Sequence, residues 1–255
     1  MKNQLIIGIL LLLTTSISNA QNKELLFVEN FDGDRLNEKF WNFELGDGCP
    51  ELCGWGNNER QVYTTSNHSL TDGYLYLNAN FKDGIYTSSK ITSKNKFEFQ
   101  YGRIEIRAKL PVGNGLWPAF WMLGSNISQV GWPTCGEIDI LEYVGKEQGM
   151  VFSTLHTKDS YGNSKNTKKV QIEDIEIGFH EYAANWTKDK IEFFVDNQLI
   201  YTFSPEDRSV EVWPFDQPFY IILNLAIGGA FGGPEVDDSI FPQDFVIDYI
   251  KVYKN

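Results

Sequence analysis

Hydrophobic and polar residues alternate with a period of two along much of the chain. In residues 103–110 the even-numbered positions are apolar and the odd-numbered positions are charged. A β-strand directs successive side chains to opposite faces, so this pattern predicts a strand with one buried face. Turn-forming pairs such as Asp72-Gly73 and Asn114-Gly115 separate the strand-like runs. Similar runs lie at 73–79, 190–196, 219–225 and 245–253.

The same pattern argues against long helices. No stretch of twelve or more residues carries a convincing apolar stripe with a 3.6-residue period. Neither a linker rich in Pro, Ser or Gly nor an internal repeat is visible. The chain is therefore predicted to be all-β and to form one domain, either a sandwich or a jelly roll.

The first twenty residues have the order of a secretory signal peptide. Lys2 supplies a positive start, residues 5–13 are all apolar, and Ser18-Asn19-Ala20 offers small residues before a cleavage point. A membrane span needs about 20 apolar residues, so a permanent anchor is disfavoured. We expect a secreted protein, extracellular or periplasmic, whose domain runs from 21 to 255. We expect this domain to have no membrane span and to be a monomer.

The net charge and the cysteine and histidine content limit which ligands and cross-links the chain can have. The formal net charge of −12 disfavours nucleic acid, whose phosphates would be repelled. Cys49 and Cys53 could close a short disulfide after secretion, which would leave Cys135 as a free thiol, or all three could be free. The sequence leaves this choice open. A zinc site is disfavoured because no two histidines have ligand spacing.

Three acids in residues 136–143 are the strongest candidate for chemistry. Glu137 and Asp139 are two apart and share a strand face, whereas Glu142 would point into the core of a regular strand. A buried, unpaired carboxylate is costly. We therefore predict a β-bulge near Ile140 or Leu141, which returns Glu142 to the face of the other two acids.

Retaining glycosidases need such acids. One carboxylate acts as nucleophile and one carboxylic acid as proton donor, with their carboxyl groups about 5–5.5 Å apart. Asp139 would share a proton or hydrogen bond with Glu137, and crowding of this kind raises some carboxyl pKa values, so that one acid stays protonated near neutral pH. The alternative is an exposed acidic strand face without a chemical role.

Several segments resemble glycoside hydrolase family 16, and the bacterial laminarinases in particular. The resemblance covers nearly the whole predicted mature chain and implies a jelly-roll sandwich of two antiparallel sheets with a concave substrate cleft. It also implies a retaining endo-β-1,3-glucanase, with Glu137 as nucleophile, Asp139 as assisting acid and Glu142 as general acid/base. The matching segments are 55–64 (WGNNERQVYT), 110–124 (LPVGNGLWPAFWMLG), 136–143 (GEIDILEY), 179–186 (FHEYAANW) and 218–229 (PFYIILNLAIGG).

The resemblance also suggests residues that bind a β-glucan. Tryptophans would stack on pyranose rings, although core packing is their common alternative. For Arg107 the alternative is a surface role on its charged strand face, and for His156 it is an ordinary polar position on a strand. The six candidates are Asn57, Arg107, Trp117, Trp121, Trp132 and His156.

Many members of the family carry a calcium ion away from the cleft. The matching positions here are Glu29, Gly73 and Asp248, and backbone carbonyls with one carboxylate suit the preference of calcium for oxygen. The ion would be structural, and the chemistry itself would require no cofactor.

Other activities remain open at this point. The chain could also cut mixed β-1,3-1,4-glucan, could be a non-catalytic glucan-recognition module, or could act on a galactan such as agar or carrageenan. The presence of all three acids favours an enzyme. Cys135 stands where some related lichenases have a tryptophan, and the ExDxxE spacing differs from the ExDxE of the lichenase and transglycosylase subtypes.

Overall fold

The computed structural model describes residues 24–255. The predicted signal peptide, residues 1–20, and residues 21–23 lie outside this range. In the part of the chain that is described, no helix combines the length and apolar character that crossing a membrane would require.

Eighteen strands account for most of the regular structure within residues 24–255. Two four-residue α-helices, α1 (Ile127–Val130) and α2 (Gly229–Gly232), and two 3₁₀ helices, Cys53–Gly56 and Asp238–Ile240, connect them. The first nine strands are β1 (Leu25–Glu29), β2 (Asn42–Phe43), β3 (Gln61–Tyr63), β4 (His68–Thr71), β5 (Tyr74–Lys82), β6 (Ile85–Ser88), β7 (Lys90–Thr92), β8 (Glu98–Phe99) and β9 (Gly102–Lys109). The remaining nine are β10 (Leu116–Gly124), β11 (Glu137–Tyr143), β12 (Met150–His156), β13 (Thr167–Gln171), β14 (His180–Trp186), β15 (Ile191–Val195), β16 (Gln198–Phe203), β17 (Phe219–Ile227) and β18 (Gln243–Tyr253).

These strands form two sheets, which confirms the predicted all-β sandwich. Sheet I has ten described strands in the order β16-β15-β14-β9-β18-β5-β6-β3, with β1 beside β18 and β4 beside β5. Sheet II has eight described strands in the order β13-β12-β11-β10-β17-β7-β2, with β8 beside β17. Most neighbours are antiparallel, as predicted. The pair β3–β6 is parallel, because β6 turns back from β5 and so runs in the direction of β3.

The core lies between the sheets and follows the alternation of the sequence. In β9, Ile104, Ile106 and Ala108 are fully buried against the apolar face of sheet II. Arg103 and Arg107 project from the opposite face of the same strand. Sheet II in turn has a second, outward face, and the side chains of β10 and β11 on that face form the site described below.

The structure shows which of the three cysteines are bonded to each other. Cys49 and Cys53 form a disulfide bond, and Cys135 is a buried free thiol. Burial raises the pKa of the Cys135 thiol to about 12, so it stays protonated and unreactive.

Candidate active site

The predicted bulge in β11 is confirmed. On one side of the strand, Trp121 pairs with Asp139 and Phe120 pairs with Leu141, so Ile140 is the extra residue. On the other side, Asp139 pairs with Thr154 and Glu142 with Phe152, so β11 uses three steps where β12 uses two. The Ser153 hydroxyl donates to the Ile140 carbonyl at 3.0 Å, which satisfies a backbone oxygen that the bulge takes out of the ladder.

The bulge brings Glu142 to the outward face of sheet II, which we call the cleft face. Glu142 is 9% exposed there, and its two carboxyl oxygens accept hydrogen bonds from the Trp117 indole and the Thr154 hydroxyl, both at 3.2 Å. Burial and, after it, the charge of Glu137 raise the pKa of Glu142 to about 7, while these two donors act in the opposite direction. Glu142 can therefore hold a proton near neutral pH and still release it.

Asp139 is more deeply buried, at 3% exposure. Burial, the charges of Glu137 and Glu142 and a hydrogen bond with Glu137 raise its pKa well above the usual range. Asp139 therefore keeps its proton and donates a hydrogen bond to Glu137. The Trp132 indole also donates a hydrogen bond to Glu137, to its Oε2 atom at 2.6 Å. The result is a partly exposed Glu137 carboxylate held between two donors, Asp139 and Trp132.

His156 borders the same group of acids. It lies opposite Glu137 across β11 and β12, and its Nε2 is 3.4 Å from Asp139 Oδ2. One oxygen from each of Glu137 and Asp139 and one ring nitrogen of His156 all lie within 4.8 Å of one another. The His156 ring also packs against Trp132, with 5.9 Å between ring centroids. His156 thus closes one side of the acid cluster.

A second group of polar and aromatic side chains extends the cleft face over β17 and β7. The Trp121 indole donates to Asn224 Oδ1 at 2.7 Å. The Lys90 ammonium lies 4.2 Å from the centroid of the Trp55 ring and 5.3 Å from that of Trp121, and it pairs with Glu44 at 2.7 Å. Aromatic faces beside hydrogen-bonding groups suit a pyranose ring.

Three residues of this region were missed in the sequence: Asn224, Lys90 and Tyr63, whose hydroxyl accepts a hydrogen bond from the Asn224 amide at 3.1 Å. Asn224 is the one polar residue in the otherwise apolar β17, and a polar residue in a fully buried strand is a signal that could have been used. Lys90 and Tyr63 carried no comparable signal, because neither stands out from its own segment. The predicted set of cleft aromatic residues also lacked Tyr161. Its exposed ring packs edge-on against Trp132, with 5.5 Å between ring centroids.

The sequence profile of the glycosyl hydrolases family 16 matches residues 55–251, which include all three acids and both tryptophans that donate to them. The chain belongs to this family. It is a glycoside hydrolase with the jelly-roll fold of the family.

Similar proteins are known from several bacteria. A laminarinase from Flavobacterium sp. UMI-01 is 65% identical, with a TM-score of 0.89 over 91% of this chain and 100% of that one. The laminarinase catalytic domain of Thermotoga maritima is 40% identical, with a TM-score of 0.86 over 91% of this chain and 98% of that one. A β-glucanase from Rhodothermus marinus is 37% identical over 98% of this chain and 91% of its own length.

Most predicted substrate residues surround the acids of this family 16 site. Trp117, Trp121, Trp132 and His156 lie on or beside the cleft face, in contact with the acids or with Asn224. Asn57 is exposed on the loop after the first 3₁₀ helix, and its amide donates to Glu59 at 3.0 Å. Their direct contact with sugar remains a prediction.

Arg107 corrects one of these predictions. It lies on β9 of sheet I, on the face that points away from sheet II, where it pairs with Asp248 and packs over the Phe179 ring. The surface alternative was therefore right and the substrate contact is wrong. The alternation of the sequence showed that Arg107 faces away from the core. It could not show which sheet Arg107 belongs to, because both sheets of a sandwich have an outward face with the same alternation.

The three positions predicted for calcium converge on sheet I. Glu29 ends β1 opposite Ile250, while β5 begins after Gly73 and pairs Leu75 with Ile247. Asp248 lies in the gap between these two pairings. One Asp248 oxygen is occupied by Arg107. Both Glu29 carboxyl oxygens accept hydrogen bonds, from the Phe31 backbone and the Trp41 indole.

Proposed function

We propose that this family 16 enzyme is an endo-β-1,3-glucanase of the laminarinase type that acts by a retaining double displacement. The observation that carries the proposal is the bulged strand β11, which places Glu137 and Glu142 on one face and buries Glu142 so that its pKa rises to about 7. The names of the similar proteins, two laminarinases and a β-glucanase, support the substrate class.

In the first step Glu137 attacks the anomeric carbon while Glu142 gives its proton to the departing glycosidic oxygen. The bond between that carbon and oxygen breaks, and a glycosyl ester forms on Glu137. Asp139 and the Trp132 indole hold the Glu137 carboxylate in place by hydrogen bonds. Because Asp139 keeps its proton, it adds no second negative charge beside the nucleophile.

In the second step Glu142 acts as a base. The ester on Glu137 is neutral, so the negative charge that helped to raise the pKa of Glu142 is gone. The lower pKa lets Glu142 remain ionised and take a proton from water, whose oxygen attacks the anomeric carbon and releases Glu137. Two inversions at the same carbon leave its configuration retained.

Release of reducing ends from laminarin, with analysis of product lengths, tests this function. An endo-acting enzyme should give a range of laminari-oligosaccharides early in the reaction. Mixed-linkage β-1,3-1,4-glucan, agar and carrageenan belong in the same panel. Cleavage of a galactan but not laminarin would contradict the substrate class, and binding of laminarin without cleavage would favour a recognition module.

The pH profile should report the proton on Glu142. The reaction needs Glu142 protonated, so kcat/KM should fall as the pH rises through about 7. The Trp117 hydrogen bond stabilises the ionised form of Glu142 and lowers its pKa. Trp117→Phe should therefore raise the pKa and move the basic limb of the profile to higher pH.

Trp121→Phe is the matched control for that shift. The Trp121 indole donates to Asn224 and not to Glu142. Its removal should reduce activity through binding and leave the basic limb where it is in the unmodified enzyme. An unchanged limb in Trp117→Phe would argue against Glu142 as the acid.

We also propose a structural calcium site at Glu29, Gly73 and Asp248. The residues fit an oxygen site only in part: the Glu29 carboxylate is already engaged, so backbone carbonyls and the second Asp248 oxygen would be the ligands. Calcium should raise the melting temperature by about 5 °C or more at saturation, and chelation should reverse this.

Asp248→Asn should reduce that calcium-dependent rise in melting temperature. Asp244→Asn is the control, since Asp244 lies on the same strand and accepts its hydrogen bond from Asn78. A melting temperature that does not respond to calcium in the unmodified enzyme would remove the site.

A further inference from the structure

A partly buried carboxylate that the mechanism does not use lies beside the second part of the cleft face. Glu59 accepts hydrogen bonds from the Gln61 amide at 2.6 Å, the Asn57 amide at 3.0 Å and the Tyr63 hydroxyl at 3.4 Å. Burial raises the pKa of Glu59, and all three donors act in the opposite direction. A carboxylate taken out of water in this way is costly, and it is stabilised here by its donors.

One of these donors ends a chain of hydrogen bonds that starts in the cleft. The Trp121 indole donates to Asn224 Oδ1, the Asn224 amide donates to the Tyr63 hydroxyl at 3.1 Å, and that hydroxyl donates to Glu59. Each donor points toward the carboxylate. Because the indole can only donate and the carboxylate can only accept, the direction of every bond between them is determined.

The other two donors to Glu59, Gln61 and Asn57, are also held in place by hydrogen bonds. The side-chain carbonyl of Gln61 accepts the Ile227 backbone N–H at 2.7 Å, which leaves its amide directed at Glu59. The loop that carries Asn57 is held by its own backbone, since the Asn57 carbonyl accepts the Ala230 N–H at 2.6 Å. Gly229 packs tightly against this loop and leaves no room for a side chain. A Cβ atom on Gly229 would lie 2.9 Å from the Asn57 carbonyl oxygen and 3.2 Å from Glu59 Cγ.

We infer that Glu59 is a positioning residue for glucan binding, which orients Trp121 through Asn224 and Tyr63, and orients Asn57 directly. The inference rests on the proposed function. Without the carboxylate, the Tyr63 hydroxyl loses its acceptor and can rotate to donate to Asn224 instead, so the orientation of the Asn224 amide is no longer fixed. The Trp121 ring is then free to leave the orientation in which it would face a pyranose.

Glu59→Leu tests the inference by removing the acceptor. We expect the KM for laminarin to rise about 10-fold while kcat changes little, because a buried hydrogen-bond network is lost at a binding position and not at the acids. The position of cleavage in laminarihexaose should also shift. Glu59→Gln should lie close to the unmodified enzyme, since its carbonyl oxygen still accepts from Tyr63 and Gln61 and the exposed Asn57 amide can turn over.

Two further variants separate positioning from general stability. Tyr63→Phe cuts the chain in its middle and keeps Glu59, so it should give the same change in KM and cleavage position, and the double variant with Glu59→Leu should be no worse than either. Glu192→Leu is the control, because Glu192 accepts hydrogen bonds from Asn185 and Lys190 on sheet I. It should alter neither quantity.

The outcomes are distinct. A folded Glu59→Leu variant with the KM and cleavage position of the unmodified enzyme would overturn the inference. Equal losses in Glu59→Leu and Glu192→Leu would also overturn it, because they would show a nonspecific effect. An unmodified enzyme that is inactive on laminarin would contradict the proposed function instead.

Discussion

Replacing Glu137 with serine is expected to abolish nearly all hydrolysis of laminarin, with a loss of about 10⁴-fold or more in kcat. Serine removes the carboxylate that would form the glycosyl ester, and the remaining acids cannot reach the same carbon from the same side. The measurement is the initial rate of reducing-end release. Glu192→Ser, which removes a carboxylate from sheet I, should keep the rate of the unmodified enzyme.

Folding of the Glu137 variant should not suffer. Glu137 is crowded by Asp139 and Glu142, and its charge contributes to the raised pKa values of both. Removing that charge makes both neighbouring acids easier to ionise, which offsets the loss of the hydrogen bonds from Asp139 and Trp132, so the melting temperature should change little. Turnover close to that of the unmodified enzyme would rule out Glu137 as the nucleophile.

Replacing Glu142 with alanine should give an equally recognisable but different defect. Laminarin hydrolysis should fall by about 10²–10⁴-fold, because the departing oxygen has no proton donor. An aryl β-glucoside oligomer with an acidic phenol needs no such donor, so its glycosyl ester should still form and then accumulate. Added azide needs no base and should restore turnover.

The stereochemistry of the azide product separates the two acids. In the Glu142→Ala variant azide attacks the ester on Glu137, so two inversions give a β-glycosyl azide of retained configuration. In a Glu137 variant azide would replace the nucleophile and give the inverted α-azide. An α-azide from Glu142→Ala, or no azide product, would contradict the assignment of Glu142. Thr154→Val keeps Glu142 and serves as the control, since azide should not accelerate it.

The bulge shows how far a strand pattern can reach into the site. Glu137 and Asp139 share a face by spacing alone, and the cost of burying a lone carboxylate placed an extra residue near Ile140. The structure has it there. The protonation of the acids was predictable in kind, because crowded carboxylates spread their pKa values. Which of the acids would have a pKa near 7 was not predictable. The pKa of Glu142 depends on its burial and on the hydrogen bonds from Trp117 and Thr154, which lie on other strands.

Residues beyond β11 were harder to place. The predicted cleft tryptophans could equally have been core residues, and only the fold shows that Trp117 donates to Glu142 and Trp132 to Glu137. The chain of hydrogen bonds from Trp121 to Glu59 joins β10, β17 and β3, and the bonded pair Asn224 and Tyr63 is 161 positions apart in sequence. No local pattern contains such a contact.

The sequence by itself determined the all-β class, the inward faces of the strands and the one strand on which three acids meet, because all of these follow from the period of two and from the cost of burying charge. Only the tertiary structure decided which sheet each outward face belongs to, and so removed Arg107 from the cleft and added Lys90 and Asn224 to it. The physical reason is that alternation is a property of a single strand, whereas a cleft is formed by side chains from strands that pairing brings together.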